Sequence, residues 1–378
     1  MKVFVTGLRG IPGVMGGVET HCEELLPRLA RINPDIHIEV CCRAAYVDPA
    51  LRSFRGVGLA PLYAPDTTSS EALVSTLIGV LHAWRRGAEA LHIHAVGPAL
   101  LAPLAKVLGM RVLLTHHGAD YDRAKWGALA RRMLVLGEKM GMRFADRIIC
   151  VSPSLAQRMQ QRYPFAAQKT VFIPNGVSPP DPPDRPAAEV LRELQLQPGR
   201  FVLCVARLVP EKGLDYLIEA FRRSGDERTL VIAGAGKKGD AFADRLLKEA
   251  APDVRMLGMQ TRSTLGVLYR NASLFVLPSF HEGLPIAALE ALSCNCPVLL
   301  SDIQPNLDLD LPEQCYFPVG DVEELAARLG DHGATREHAE ADIPAILMGW
   351  DEVATLTASC YREMVPLQAC ATRLRNAG

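Results

Sequence analysis

The sequence has few aromatic residues and almost no net charge. Aromatic side chains make up 6% of its 378 residues, and the formal net charge at pH 7 is −1. A chain with no overall basic excess, few aromatics and no nucleic-acid-binding motif is not expected to bind nucleic acid. Uncharged apolar runs stay shorter than the roughly 18 residues of a membrane-spanning helix, which argues against such a helix.

Cysteines are present, but not at the spacings that mark a metal or redox site. The ten cysteines include the neighbours Cys41 and Cys42 and the close pair Cys294 and Cys296. They form no Cys-x-x-Cys and no Cys/His group with zinc spacing. Most lie in apolar runs, which predicts reduced, buried thiols and a cytoplasmic protein. Met1 leads directly into a strand-like run, so we expect no signal peptide.

The chain is long and apolar enough for two cores, and its charge is uneven. Apolar residues make up 49% of the sequence, which is typical of a globular protein. Residues 1–180 carry 21 Lys and Arg against 13 Asp and Glu, whereas the remainder carries 20 against 29. We therefore expect the basic first half to face an anionic partner.

Short apolar runs alternate with helical patterns along the chain, which indicates parallel sheets with helices on both faces. We expect an α/β protein with two Rossmann-like, doubly wound domains facing a cleft. The predicted strands are Val3 to Thr6, His37 to Cys41, Ala90 to His94, Val112 to Thr115, Arg147 to Val151, Thr170 to Ile173, Phe201 to Ala206, Thr229 to Ala233, Val254 to Leu257, Ser273 to Leu277 and Pro297 to Leu300.

A proline-rich segment marks the domain boundary. Pro174 to Pro186 contains six prolines in thirteen residues, which excludes a helix or a central strand. We predict a first domain over residues 1–174, a linker over 175–190, a second domain over 191–348 and a helical tail over 349–378. Ligands of such sheets bind at the carboxyl ends of the strands.

Two segments of the first half have functional candidates at strand ends. Gly16 and Gly17 are the last two of five glycines in the loop between the first strand and a helix, where the backbone can approach a ligand closely. Their spacing matches neither the dinucleotide pattern nor the Walker loop. His116 and His117 follow another strand. No nearby cysteine or carboxylate completes a metal set with them, and we favour His117 as a hydrogen-bond donor to a polar ligand.

Two segments of the second half have charged candidates. Arg207 and Lys212 follow a strand and can converge on a diphosphate, Arg207 by its planar fork and Lys212 as a point charge. Glu282 and Glu290 stand seven residues apart. Glu282 is predicted on the loop leaving a strand, and Glu290 on a helix over Leu284 to Ser293 whose amino end favours anions.

Other patterns are weaker. Gly234 to Gly239 satisfies G-x-G-x-x-G outside the usual first βαβ unit, so we interpret it as a turn. Two Asp-x-Asp triplets, Asp120 to Asp122 and Asp308 to Asp310, could hold Mg²⁺, but we expect no metal. The basic, apolar-striped stretch Arg123 to Arg147 is either an ordinary packed helix or a contact with anionic membrane lipids.

Taken together, these residues resemble a family 4 glycosyltransferase of the two-Rossmann-domain (GT-B) type over nearly the whole chain. The most specific element is the two-glutamate signature in PSFHEGLPIAALEAL, with support from ARLVPEKG, VSPSLA and PNGV. The segments GLRGIPGVMGGVET and HHGADYDRAKW more narrowly resemble bacterial enzymes that build surface polysaccharides, including rhamnosyltransferase-like members.

The resemblance implies a retaining transfer of a sugar from a UDP-, GDP- or dTDP-sugar to a glycan or lipid-linked acceptor, without a metal or other cofactor. It implies that Glu282 contacts the donor sugar and that Glu290 holds the ribose hydroxyls. Arg207 and Lys212 would stabilise the leaving diphosphate. The implied donor-binding set is Gly16, Gly17, Arg207, Lys212, Glu282, Gly283, Leu284 and Glu290.

Further implications concern the first domain and the chain end. Gly16 and Gly17 would border the diphosphate and the acceptor, and His117 would touch the donor sugar or assist the reacting centre. The helical pattern Gly349 to Val365 would cross back to the first domain. Asn295 stands where the family often has glycine, and asparagine tolerates the left-handed conformation expected there.

The physical logic of such a transfer agrees with these roles. Cleavage at a sugar diphosphate develops negative charge on phosphate, which fixed cations stabilise. The sequence presents no evident nucleophile, so we adopt as a hypothesis a front-face mechanism assisted by the leaving diphosphate. Two alternatives stay open: a sugar-nucleotide epimerase on the same fold, and a non-catalytic nucleotide-sugar-binding subunit. A dehydrogenase would rest on Gly234 to Gly239 alone.

Overall fold

A computed structural model describes residues 1–65, 71–123, 126–178, 184–237, 239–331 and 346–364. The chain divides into two compact units. The first comprises Met1–Gly176 and Met348–Gly378, and the second comprises Val177–Leu347. The centre of the proline-rich segment, residues 179–183, lies outside the described residues.

The first unit is built on an eight-stranded sheet with the order β3-β4-β2-β1-β5-β6-β7-β8. All neighbouring strands are parallel except the short edge pair β3 and β4. Strand β1 lies between β2 and β5, so the chain leaves the centre in both directions and creates a switch point there. The strands β1 to β8 are Lys2–Thr6, His37–Arg43, Ser53–Phe54, Val57–Leu62, Ala90–His94, Arg111–His116, Arg147–Cys150 and Thr170–Phe172.

Helices pack on this sheet, and α1 does so through the apolar stripe Cys22, Leu25, Leu26 and Leu29. Helix α5 shows how local sequence sets a boundary, because Ser152 Oγ accepts from the Leu155 N–H and Pro153 occupies the first turn. The first five helices, α1 to α5, are Gly17–Ile32, Glu71–Arg85, Ala102–Val107, Ala128–Phe144 and Pro153–Arg162.

The second unit has a six-stranded, wholly parallel sheet with the order β11-β10-β9-β12-β13-β14. Its switch point lies between β9 and β12. Strands β9 to β14 are Phe201–Val205, Thr229–Ala233, Val254–Gly258, Leu274–Leu277, Val298–Ser301 and Tyr316–Phe317. Helices α6 to α12 are Ala187–Glu193, Leu214–Ser224, Ala241–Leu247, Arg262–Asn271, Ile286–Ser293, Gln304–Leu307 and Val322–Gly330.

The last described helix, α13 (Trp350–Glu363), belongs to the first unit and packs beside α1. Arg31 and Asp351 join the two helices at 2.9 Å. Trp350 and Tyr361 are buried in the same apolar core as β1 and β2. The predicted return of the final helix is therefore confirmed, although Val365 lies outside the described residues.

The prediction of two doubly wound parallel sheets is confirmed. Asn295 has φ 54°, the left-handed conformation expected at that position. Strands β3, β4 and β14 were not predicted. β3 and β14 are two-residue edge strands, which have weak apolar patterns, and β4 lies between β3 and β2. Within the described residues, the helices are too short or too polar to cross a membrane.

Candidate active site

The two loops at the switch point of the second sheet position Lys212 and Glu282. Lys212 ends a 3₁₀ turn after β9, and Glu282 lies in the loop after β12. The Lys212 ammonium donates to Glu282 Oε1 at 2.5 Å, and Ser279 Oγ donates to the same oxygen at 2.6 Å. Only 15% of the Lys212 side chain and 11% of the Glu282 side chain are exposed. The structure therefore places a shielded ion pair where parallel sheets bind their ligands.

Backbone contacts hold these two loops against each other. The Phe280 N–H donates to the Glu211 carbonyl at 3.0 Å, and Tyr216 Oη donates to the Pro278 carbonyl at 2.6 Å. Gly213 has φ 62°, and a Cβ atom there would lie 2.4 Å from the Pro278 oxygen. Only glycine allows this approach, so it fixes the backbone beside Lys212.

Buried polar side chains form hydrogen bonds beneath the Glu282 loop. Ser301 Oγ, at the end of β13, donates to the Ser279 carbonyl at 2.6 Å. Asn306 Nδ2 donates in turn to the Ser301 carbonyl at 2.8 Å. All three side chains are fully buried. These hydrogen bonds hold the loop to the end of β13, although the buried Asn306 Oδ1 has no partner among the described residues. Sequence analysis missed these contacts, although a serine ending an apolar strand was a usable signal.

The other predicted site residues of this unit are close in sequence to Lys212 or Glu282. Arg207 lies in the turn after β9, where its carbonyl accepts from the Val209 N–H at 2.9 Å. Gly283 and the buried Leu284 continue the Glu282 loop. Glu290 projects from α10, and its Oε2 accepts a 3.1 Å hydrogen bond from Tyr269 Oη.

Helix α10 begins later than predicted. The sequence pattern predicted a start at Leu284, but the first helical residue is Ile286. Pro285 occupies the N-cap position with ψ 101°, which is not helical. The prediction was wrong by two residues because Leu284 matches the apolar pattern of the helix while it is buried in the loop.

In the first unit, a partly buried ion pair organises the glycine loop. The Arg9 guanidinium donates from Nε to Glu19 Oε1 and from a terminal nitrogen to Oε2, each at 3.0 Å. Burial acts to raise the pKa of Glu19, but the hydrogen bonds and charge of Arg9 outweigh it and lower that pKa. Gly16 is the N-cap residue of α1, and a Cβ atom there would lie 2.1 Å from Glu19 Oε2. Gly17, by contrast, has open space beside it.

The two histidines after β6 have different surroundings. His116 is fully buried, and its Nδ1 accepts from the Gly118 N–H at 3.2 Å while Nε2 lies 3.1 Å from Glu138 Oε2. Its contacts are therefore structural. His117 Nε2 lies 2.8 Å from Nδ1 of His94, another histidine that sequence analysis did not single out. Burial lowers the pKa of His117 well below its usual range, so the ring is neutral at pH 7.

The weaker patterns have structural explanations. Asp120 pairs with Arg123 at 2.8 Å and Asp122 with Arg158 at 3.1 Å, so this triplet is engaged by cations. A Cβ atom on Gly234 would lie 1.9 Å from the Ala206 oxygen, which explains that glycine by packing. Lys238, within the same glycine pattern, lies outside the described residues.

Comparisons with known proteins agree with this architecture. Residues 15–180 match the family model described as Glycosyltransferase Family 4, and residues 191–339 match the model described as Glycosyl transferases group 1. The alpha-maltose-1-phosphate synthase of Mycobacterium tuberculosis (strain H37Rv) is 28% identical over 80% of this chain and 80% of its own.

Solved structures with the same fold cover almost the whole chain. A sucrose-phosphate synthase from Thermosynechococcus elongatus has a TM-score of 0.77 at 21% identity and covers 96% of this chain and 98% of its own. Anabaena Alr3699/HepE in complex with UDP and glucose has a TM-score of 0.74 at 18% identity, with coverages of 96% and 100%. At these identities the likeness shows the fold, which is of the GT-B type.

Proposed function

Because the chain belongs to the family 4 glycosyltransferases, we propose that it moves a sugar from a UDP-, GDP- or dTDP-sugar to a glycan or lipid-linked acceptor, with retention and without a metal. The observation that supports this proposal best is the shielded Lys212–Glu282 pair at the switch point of the second sheet. That position offers a cation and a carboxylate to one ligand, as a sugar diphosphate requires.

The cations act on the leaving group. Departure of the diphosphate builds negative charge on its oxygens, and Arg207 and Lys212 stabilise that charge. An ammonium has three N–H donors, of which Glu282 accepts one in the structure. Because the tied loops hold Lys212 in place, little reorganisation is needed when the charge develops.

The carboxylates position the donor. Glu282 accepts hydrogen bonds from sugar hydroxyls, and Glu290, with Tyr269 beside it, accepts from the ribose hydroxyls. The Glu282 carboxylate is engaged by Lys212 and Ser279, which suits a positioning role better than that of a nucleophile. Gly283 and Leu284 complete the donor loop.

Retention then follows from a front-face transfer. The bond between the anomeric carbon and the phosphate oxygen breaks, and the acceptor oxygen bonds to the same face of that carbon. The acceptor proton passes to the departing phosphate oxygen. In the first unit, Gly16 and Gly17 border the diphosphate and acceptor, and the neutral His117 contacts the donor sugar.

We further propose that the acceptor is part of a bacterial surface polysaccharide and that the protein is cytoplasmic and contacts the inner face of the membrane. Helix α4 supports the contact because its buried face consists of Gly137, Glu138, Gly141 and Met142, whereas larger apolar residues point outward. Basic residues share the exposed face. Lys125, part of the predicted basic stretch, lies outside the described residues. The exposed set is Leu129, Arg131, Arg132, Met133, Leu136, Lys139 and Arg143.

Transfer can be tested with a panel of UDP-, GDP- and dTDP-sugars in EDTA, with and without a bacterial membrane extract. We expect acceptor-dependent release of nucleoside diphosphate and a product linkage with the same anomeric configuration as the donor sugar. A strict need for divalent metal would refute the metal-free proposal. Conversion of the sugar nucleotide without an acceptor would indicate an epimerase, and binding without turnover would indicate a binding subunit.

The membrane contact can be tested by vesicle flotation. We expect binding to phosphatidylglycerol vesicles that weakens with salt, and little binding to phosphatidylcholine. Replacement of Leu129, Met133 and Leu136 by serine should abolish it. Val107, which is 84% exposed on α3, provides the control variant Val107→Ser. Equal flotation of the triple variant would refute the contact.

A further inference from the structure

Three histidine side chains meet at the switch point of the first sheet. His94 ends β5, His117 follows β6, and His21 lies in the first turns of α1. One ring nitrogen of each lies within 4.8 Å of the others. In the part of the chain that the structure describes, these three residues form the group whose ligand atoms lie close enough together to hold one metal ion. Its members are distant in sequence, so spacing could not reveal it.

His21 has the arrangement of a metal ligand with its supporting group. Its Nδ1 lies 2.9 Å from the side-chain oxygen of Asn175, which accepts only, so Nδ1 carries the hydrogen. The lone pair is therefore on Nε2, which is buried and has no hydrogen-bond partner among the residues that the structure describes. A ligating histidine almost always donates its other N–H to a carbonyl or carboxylate in this way.

His94 and His117 can supply the other two lone pairs. Their facing nitrogens are 2.8 Å apart and share one hydrogen. The second nitrogen of His94 lies 3.6 Å from the Cys22 sulfur, which can donate or accept. When His94 carries its hydrogen on Nε2, beside Cys22, and His117 carries its own on Nδ1, the facing nitrogens His94 Nδ1 and His117 Nε2 both have a free lone pair for a cation.

We propose that His21, His94 and His117 bind one Zn²⁺-class transition-metal ion, with water in the fourth position. Nitrogens around tetrahedral zinc lie about 3.3 Å apart, so modest ring rotations convert the observed separations into a site. Imidazole ligands favour such ions over Mg²⁺ or Ca²⁺. The ion is not a cofactor here. Its binding withdraws His117 from the donor sugar and inhibits transfer, a consequence that rests on the proposed function.

Metal binding is tested on untagged full-length protein, stripped with EDTA, desalted and kept reduced. Co²⁺ serves as the spectroscopic probe and Zn²⁺ as the calorimetric one. We expect one ion per chain and the visible absorption of four-coordinate Co²⁺. His21→Gln should weaken binding by at least about 100-fold, since a direct ligand is lost. His94→Gln should do the same.

Two histidines serve as matched controls. His92 lies on the same strand, but Tyr361 and Thr115 occupy its two nitrogens at 2.7 Å each. His37 is exposed and reports adventitious surface binding. His92→Gln and His37→Gln should keep wild-type affinity. Circular dichroism and thermal unfolding check that each variant is folded, and His21→Gln decides the outcome if the strand variants do not fold.

Absence of stoichiometric binding to the wild-type protein, or undiminished binding to folded His21→Gln, would overturn the metal site. The inhibition has its own readout: Zn²⁺ should inhibit transfer reversibly, and His21→Gln should resist Zn²⁺ relative to its own metal-free rate. Binding without inhibition would overturn the consequence for His117. If no transfer activity is found with any donor, the binding measurement still decides the site.

Discussion

Replacement of Lys212 by methionine tests whether the shielded ion pair stabilises the second unit. The substitution keeps most of the aliphatic volume but removes the cation from the Glu282 carboxylate, which is 11% exposed and still accepts from Ser279 Oγ. Removing one partner of a buried pair costs several kcal/mol, and we take about 3 kcal/mol because Ser279 remains. For a unit of this size, that corresponds to a fall in Tm of roughly 6–12 °C.

The double variant distinguishes this cause from lost packing. Adding Glu282→Gln to Lys212→Met removes the buried charge, so the double variant should be more stable than Lys212→Met alone. Differential scanning calorimetry should follow the second unit separately, because the chain has two units and need not unfold in one step. Arg185→Met, which breaks an exposed pair with Glu193, is the control and should change Tm little.

Two results would refute this reasoning. If Lys212→Met leaves Tm unchanged, the carboxylate is solvated; if the double variant is no more stable than Lys212→Met, the charge is not the cause. The same single variant should also lower kcat by about 10²–10³-fold under the proposed function, since a preorganised charge is lost from the leaving group.

Three further predictions concern other positions. Gly16→Ala should lower both activity and Tm because its Cβ would collide with the Glu19 carboxylate, whereas Gly17→Ala should be tolerated; equal effects would contradict this. The lowered pKa of Glu19 stabilises the fold above pH 4.5, its usual value, and this contribution disappears as the pH falls through the lower folded pKa. Between pH 6 and pH 3, the Tm of Glu19→Gln should therefore fall less steeply than the Tm of the wild-type protein. Asn295→Ala should lower Tm by about 2–4 °C, as its left-handed backbone costs alanine about 1 kcal/mol, and Asn295→Gly should not; a tolerated alanine would contradict the strain.

Sequence patterns predicted the architecture because strands and helices have local periodicities. Ala90–His94 and Thr229–Ala233 have the predicted bounds. The positions of Lys212 and Glu282 followed from strand ends, since parallel strands present their carboxyl ends at one edge. Their direct contact could not be predicted, because it depends on the Gly213 approach between two loops.

Contacts between distant segments account for what the sequence could not reveal. The histidine cluster joins α1 to the ends of two strands, and the Arg9–Glu19 pair spans the glycine loop. Glu138 looked like one charge in a basic helix, yet it is fully buried against His116 and Tyr163. Local periodicity cannot show such pairings, because only the tertiary fold brings the partners together.

The return of α13 to the first unit bears on how the chain folds during synthesis. Trp350, Tyr361 and other buried residues of α13 and its C-cap fill a core whose remaining buried members lie within the first 176 residues. The second unit is continuous from Val177 to Leu347, so its whole sequence has been translated before this helix is. We therefore expect the amino-terminal half of the nascent chain, although translated first, to reach its final packing last, once α13 has emerged from the ribosome.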